Sequence, residues 1–165
     1  MITNEQTSKA YFNSLKIIHT AILSSQVILG IIFYYLNTAS QGNSSSEGLD
    51  KIFQIVVPII VVGGIIGSAV MLRLKLKAIK AQTELKNKLG EYRNALIVGY
   101  AIMEGPSLLS LVLYYLTGNI LYLACAGLII LVFLINKPSK YIAANDLDLN
   151  SNERALIEDP DAIIT

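Results

Sequence analysis

Long stretches without a charged side chain constrain this sequence more than any other feature. Residues 17–46 and 52–72 contain no Asp, Glu, Lys or Arg, and residues 94–136 contain only Glu104. About 20 consecutive apolar residues are enough for a helix to cross the hydrocarbon core of a bilayer. Only 15% of the residues are charged, against roughly 25% in a typical soluble domain. The chain is therefore expected to lie in a membrane.

The uncharged stretches predict an all-α fold, a four-transmembrane-helix bundle formed by residues 1–138. Its spans are expected at about residues 17–37, 52–72, 95–117 and 119–136. The first span is longer than the roughly 7–15 apolar residues of a signal peptide, so it is expected to remain in the mature protein.

Residues 73–94 continue the helical pattern beyond the second span. Apolar residues recur there at helical spacing: Leu72, Leu76, Ile79, Leu85, Leu89 and Tyr92. This spacing predicts that the second and third helices extend past the bilayer and meet as a cytoplasmic helical hairpin. The basic residues from Arg73 to Arg93 are also a candidate site for anionic lipid headgroups, since they lie close to the membrane ends.

Residues 139–165 form an acidic tail. Six acidic residues stand against Lys140 and Arg154, and Asn150 followed by Glu153 predicts a capped short helix that ends near Pro160. Because the tail is the charge complement of the 73–94 segment, we expect it to dock there, with Leu147, Leu149, Leu156 and Ile157 as apolar contacts. The alternative is a disordered, solvated tail.

The charges also predict an orientation. Segment 73–94 has seven basic residues, whereas 38–50 has none. Lys and Arg favour the cytoplasmic side of a membrane, so an even number of spans places both termini in the cytoplasm. Five tyrosines then gather at the outer interface as an aromatic belt: Tyr34, Tyr35, Tyr114, Tyr115 and Tyr122. The predicted location is the inner membrane of a bacterium.

Glu104 is a functional candidate because an acid within a membrane span is costly. It lies nine residues from Ala95, about 14 Å into the membrane by helical rise. Counting from Ile17 places Gln26 at the same depth. A polar layer of Glu104, Gln26, Ser107 and Tyr100 is therefore expected near the midplane. Glu104 is either a neutral acid that joins the third helix to the first, or an ion-binding group.

Small residues in the second span predict a helix-packing face. Gly63 and Gly67 form a GxxxG pair, and Gly64 with Ser68 repeats the spacing. Small residues four apart let helix backbones approach closely in lipid. A groove for a substrate or cofactor is the alternative.

Several function classes find no support in the sequence. With one His and one Cys, a zinc site built by the protein is not expected, and no cofactor is implied. A net charge of +1 does not favour nucleic acid. No pairing of a nucleophile with a base and no phosphate loop is visible, so the chain is not expected to be an enzyme.

Two resemblances accompany these patterns. The whole chain resembles an uncharacterised family of small four-helix bacterial inner-membrane proteins, through residues 11–19, 92–97 and 103–107, the 117–119 turn and the Lys137-Pro138 exit. That family implies architecture without an activity. Residues 60–116 are also similar to the hairpin of rotary ATPase proteolipid (c) subunits, which implies that Glu104 carries an ion.

The expected function is that of a structural or interaction protein, an accessory component of the bacterial inner membrane with a protein partner or as a homo-oligomer. The alternative is a small ion- or proton-translocating protein, proteolipid-like or a channel, that uses Glu104.

The predicted orientation is tested by thiol labelling in intact cells. A cysteine at Asn43 is expected to react with a membrane-impermeant reagent, and a cysteine at Asn87 is not, because the basic segment faces the cytoplasm. The reverse labelling pattern would rule out cytoplasmic termini.

Overall fold

The computed structural model describes residues 6–39 and 47–164. Within these residues the chain forms six helices, namely α1 (Ser8–Ala39), α2 (Glu47–Lys80), α3 (Leu85–Thr117), α4 (Ile120–Ile135), α5 (Lys140–Asp146) and α6 (Ser151–Glu158). Two short strands, β1 (Gln6–Thr7) and β2 (Ile163–Ile164), pair antiparallel. The predicted all-α fold is confirmed.

Helices α1, α2 and α3 are each long and apolar enough to cross a membrane. Helix α4 meets α5 at a bend of 87°, and the pair counts as a fourth candidate span when taken together. The chain is therefore a multi-pass membrane protein with three to four spans.

The long helices extend beyond the predicted spans at one end of the bundle. Helix α1 begins at Ser8, α2 continues to Lys80, and α3 begins at Leu85 after a short turn. These extensions carry charged residues. The spans predicted from hydropathy therefore end before the helices do. Helices α2 and α3 continue beyond the apolar spans because Ile79, Leu85 and Leu89 are buried there and stabilise the extensions.

Helix α3 lies at the centre and packs against α1, α2 and α4. Three contacts between α1 and α3 show that these two helices run parallel. The His19 ring packs against the Tyr100 ring, Gly30 lies beside Leu111, and Asn37 donates to the carbonyl of Tyr114. The partners are 77 to 81 residues apart along the chain. Gln26 is therefore level with Ser107.

Helices α2 and α3 approach closely at Gly64. A Cβ atom at this position would lie 2.9 Å from Pro106 Cγ and 3.3 Å from the Ile102 carbonyl oxygen. One turn away, a Cβ at Gly99 would lie 3.0 Å from Ser68 Oγ. Gly64 and Ser68 therefore lie at the helix contact, whereas Gly63 is exposed and has no neighbour within 4 Å, and Gly67 is half-buried.

The turn between α3 and α4 depends on Gly118. Its φ of +71° is left-handed and favours glycine, and its N–H bonds the Tyr114 carbonyl. Asn37 at the end of α1 donates from Nδ2 to the carbonyls of Tyr114 and Tyr115, each at 3.3 Å. These bonds satisfy carbonyls that a helix end leaves free.

The expected aromatic belt is only partly present. Tyr34, Tyr35 and Tyr115 are exposed near this end of the bundle, but Tyr114 and Tyr122 are buried. Tyr114 and Tyr122 pack between helices. The prediction that they belong to an exposed belt was wrong, since the sequence does not show which way a tyrosine side chain faces.

A pair of glycine substitutions tests the α2–α3 contact. We expect Gly64→Ala to lower the stability in detergent by about 1–3 kcal/mol, because neither the Pro106 ring nor a backbone carbonyl yields easily to an added methyl group. Gly63→Ala is the matched control and should be neutral or slightly stabilising, since its methyl group meets open space. Equal effects of the two changes on thermal unfolding would contradict this packing.

Candidate functional site

The predicted polar layer is largely buried. Gln26 and Ser107 have 0% exposure and Tyr100 has 4%, whereas Glu104 is half-buried. Ser24 and Ser25 are exposed, and the Ser25 hydroxyl bonds its own helix through the Ile22 carbonyl. Gln26, Ser107 and Tyr100 thus lie inside the bundle, with Gln26 level with Ser107.

Three polar atoms of this layer have no hydrogen-bond partner within the described part of the chain. They are Gln26 Oε1, Tyr100 Oη and Ser107 Oγ. The amide nitrogen of Gln26 makes one long bond of 3.4 Å to the Ile22 carbonyl. Since nearly all buried polar atoms in proteins are paired, such a group calls for water, a ligand or another explanation.

Glu104 does not join this layer by hydrogen bonds. Helical spacing predicts that it shares a face with Tyr100 and Ser107, but in the described residues its carboxylate bonds neither of them. The buried face of α3 runs through Tyr100, Met103 and Ser107, so Glu104 lies at its edge.

His19 on α1 is buried against α3 and α4. It is 3% exposed, Nε2 bonds the Phe133 carbonyl at 3.0 Å, and its ring packs edge-on against Tyr100 with ring centres 5.3 Å apart. Helix α1 starts nine residues before Ile17, so His19 lies well inside the helix and not at its beginning.

A second group of polar residues lies where both chain termini meet the ends of α2 and α3. We call residues 6–12, 80–92 and 140–164 the terminal cap. Lys88 Nζ lies 2.7 Å from Glu153 Oε1, and both side chains are about nine-tenths buried. Lys80 pairs with Asp148 on the surface. Tyr92 Oη donates to Asp146 Oδ2 at 2.9 Å.

The tail also completes the first turn of α1. The backbone N–H groups of Ser8 and Lys9 donate to the carbonyls of Ala162 and Pro160 at 3.0 and 3.1 Å. These are among the N–H groups that a helix start leaves without an internal partner. Strand β2 pairs with β1 directly before them. The tail therefore holds the N-terminal end of α1 through its backbone.

Apolar contacts fill the terminal cap. Leu147, Leu149 and Ile157 are buried, as the docking hypothesis expects, whereas Leu156 is 44% exposed. The hypothesis that the tail is ordered and packed on the 73–94 segment is confirmed. Its ion pairs use Lys80 and Lys88; in the described ranges none forms with Lys75 or Lys77. Helix α5 and the β1–β2 pair had no clear sequence signal beyond the Ser139 N-cap.

Glu153 connects the local and the tertiary structure of the tail. The predicted capping box is present: Asn150 Oδ1 accepts from the Glu153 N–H, and Glu153 Oε2 accepts from the Asn150 N–H at 2.9 Å. Burial alone would raise the pKa of Glu153, but the hydrogen bonds from Lys88 and Asn150 and the Lys88 charge outweigh burial. The pKa is therefore lowered.

No group of His, Cys, Asp and Glu suited to a metal ion occurs among the residues that the structure describes. No family model, curated protein or solved structure matches this chain. The chemistry of the terminal cap and of the polar layer must therefore be interpreted from their geometry.

Two substitutions compare the buried and the exposed ion pair. Glu153→Gln is expected to destabilise the terminal cap by about 3–5 kcal/mol, since it leaves the buried Lys88 charge without its partner. Asp148→Asn is the control and should cost at most about 1 kcal/mol, because that pair is exposed. Hydrogen exchange of the amides of residues 146–158 measures the loss of stability in each variant. Equal protection of these amides in the two variants would contradict the greater importance of the buried Lys88–Glu153 pair.

Acid should release the terminal cap. Because the folded pKa of Glu153 is lowered, its stabilisation is complete above the ordinary carboxyl value of about 4.3 and is lost as the pH falls through the folded value. Spin labels at two exposed positions, Asn87 and Leu156, should move apart in that acidic range. A distance that stays constant until the whole bundle unfolds would show that Glu153 does not hold the tail.

Proposed function

We propose that this chain is a structural or interaction protein, an accessory component of a bacterial inner membrane that presents the terminal cap to a protein partner. The observation that carries the proposal is the construction of the cap. Residues 6–12, residues 140–164 and the ends of α2 and α3 are held there by a buried ion pair, a strand pair and apolar contacts. Such a rigid polar surface suits recognition, and we propose no catalytic role for it.

The proposed topology has four spans with both termini in the cytoplasm. The N-terminal end of α1, the ends of α2 and α3 and the tail come together at one end of the bundle, and the basic residues of segment 73–94 are there. The opposite end carries the Gly118 turn and no basic residue in its short connection. This asymmetry supports the orientation that the positive-inside rule favours.

The fourth span is proposed to be α4 alone. Its 16 residues cover about 24 Å by helical rise, and the 87° bend then turns α5 across the bundle axis. The short span is compatible with a membrane protein because Asn136, Lys137 and Pro138 follow directly and carry the chain into the interface.

Exposed groups on the terminal cap and on the adjoining last turns of α2 define the proposed contact surface. Leu156 is 44% exposed on α6, and Lys75, Lys77 and Lys86 project from the helix ends without an ion pair to described residues. An exposed apolar side chain suits a protein partner, and the exposed lysines also suit anionic lipid headgroups.

The second candidate function is ion or proton translocation through Glu104. It is favoured by three unpartnered polar atoms near this acid: those of Tyr100 and Ser107, within about one turn of Glu104 on α3, and that of Gln26 on the neighbouring α1. A path would need water to reach them, since an ionised carboxylate in a membrane span requires polar surroundings.

Site-specific photo-crosslinking in native membranes tests the first function. A photoreactive residue at Leu156 is expected to give one discrete adduct, and the Glu153→Gln change should abolish it by releasing the tail. The same probe at Tyr35, on the exposed opposite end, is the control and should give none. An adduct of twice the chain mass would identify a homo-oligomer, and no adduct at Leu156 would contradict an interaction role for the cap.

Proteoliposomes test the second function separately. The purified protein is expected to hold an imposed pH gradient as well as empty vesicles do. A leak that disappears in Glu104→Gln would favour translocation and would overturn the accessory role.

A further inference from the structure

A cavity of about 300 Å³ lies between α2, α3, α4 and α5. Its wall is mainly apolar, with Ile65, Leu72, Leu96, Met103 and Val132 among the lining side chains. This volume is at the lower limit for ligand pockets, which are typically about 300–1,000 Å³ with an apolar wall and a few placed polar groups. The cavity thus has the size and the lining of a binding site.

The lining groups change character along the cavity. Asp146 is bonded by Tyr92 at the start of the α3 stretch that lines the cavity, the Tyr100 side chain follows along α3, and Met103 ends that stretch. Lys137, which follows α4, also lines the cavity. From Tyr92 to Met103 the cavity follows α3 for eleven residues, about 16 Å by helical rise. A volume of this size spread over that length is narrow, comparable in width to a single hydrocarbon chain.

One buried polar atom in this cavity lacks a partner. Tyr100 is 4% exposed, lines the cavity, and its hydroxyl bonds no other described residue. Because side chains of a helix lean toward its N-terminus, the hydroxyl is nearer the charged end than the Tyr100 Cα is. An unpaired buried hydroxyl is destabilising, so its placement here points to a ligand that supplies an acceptor.

The charged end lies where a membrane interface is expected. Helix α5 turns 87° from α4, and its Tyr141 and Ile142 are 75% and 39% exposed. A short helix that lies across the bundle axis with exposed aromatic and aliphatic groups is typical of the headgroup region. Lys137 and Asp146 therefore stand at headgroup depth, and the Tyr100 hydroxyl lies deeper.

We propose that this cavity binds one phospholipid with a primary ammonium headgroup, of the phosphatidylethanolamine class. Lys137 pairs with the phosphate, Asp146 accepts a hydrogen bond from the ammonium group, and Tyr100 Oη donates to an ester carbonyl. One acyl chain lies along the apolar wall toward Met103, and the other lies outside this narrow cavity in the surrounding bilayer. The order of groups in the cavity, charged, then a lone donor, then apolar, matches a phospholipid from head to tail.

The opposite charges of Lys137 and Asp146, which both line the cavity, select this headgroup among phospholipids. Asp146 already accepts from Tyr92 Oη through Oδ2, and no other bond to this carboxylate is seen in the described residues. A primary ammonium donates hydrogen bonds to a carboxylate, whereas a quaternary ammonium has no N–H to donate. The headgroup of phosphatidylglycerol carries no cation, so only an uncharged hydroxyl group could contact Asp146.

Water is a poor occupant by comparison. A volume of about 300 Å³ corresponds to roughly ten molecules at liquid density, and each needs two to four polar partners. The wall is mostly apolar and does not supply them.

Thermal unfolding of the delipidated full-length protein in detergent tests the proposal. Phosphatidylethanolamine, phosphatidylcholine and phosphatidylglycerol with identical acyl chains are titrated separately. A ligand that binds the folded state raises Tm in a saturable way. We expect phosphatidylethanolamine to do so at the lowest concentration, and native mass spectrometry to count one bound lipid per chain.

Three variants assign the contacts. Tyr100→Phe should weaken phosphatidylethanolamine binding about fivefold by removing one hydrogen bond, while the lipid-free protein is no less stable, since an unpaired hydroxyl is gone. Asp146→Asn should remove the preference over phosphatidylcholine but keep an acceptor for Tyr92. Ser107→Ala is the control: it also removes an unpaired buried hydroxyl from α3, but it does not line the cavity, so lipid binding should not change.

Three results would each overturn the proposal. The first is the absence of any saturable rise in Tm with phosphatidylethanolamine. The second is an equal or stronger response to phosphatidylcholine or phosphatidylglycerol. The third is a response to phosphatidylethanolamine that both Tyr100→Phe and Asp146→Asn leave unchanged, since the lipid would then bind elsewhere on the bundle.

Discussion

The bundle depends on the close approach of α2 to α3 at Gly64. In lipid, apolar side chains gain little by leaving the solvent, so helix association relies on close packing and on polar contacts. Pro106 cannot donate to the Ile102 carbonyl, and that oxygen would lie 3.3 Å from a Cβ at Gly64. The absence of a side chain at Gly64 lets α2 cover this weak point of the central helix. Helices α1 and α4 then pack on the remaining faces of α3.

The terminal cap is stabilised by different physics, since it lies beyond the apolar spans. Buried Leu147, Leu149 and Ile157 provide the hydrophobic contribution that the membrane part lacks. The Lys88–Glu153 pair is buried with them, and losing one partner of a buried pair is costly because the other charge is left unpaired. Because the tail carbonyls also bind the first N–H groups of α1, the two chain termini and the central helix form one unit.

Between these two regions the structure contains polar atoms that its own residues do not satisfy. Gln26, Tyr100 and Ser107 each carry one, and Tyr100 also lines the cavity between α2, α3, α4 and α5. The cavity lies between the lipid-embedded packing at Gly64 and the ion pairs of the cap. An occupant there would contact α2, α3, α4 and α5 at once, so its binding would bear on the placement of the tail as well as on the bundle.

The sequence by itself determined the features that depend on local composition. Uncharged stretches predicted the apolar spans, because hydropathy adds up along a helix; Asn150 and Glu153 predicted the start of α6, because a capping box involves neighbours in sequence. The tertiary structure decided which side of each helix meets another. It buried Gly64 and left Gly63 exposed, moved Glu104 to the edge of the polar layer, buried His19, and selected Lys88 among many lysines as the partner of Glu153. These outcomes depend on helix rotation and on contacts between residues far apart in the chain, which periodicity alone does not specify.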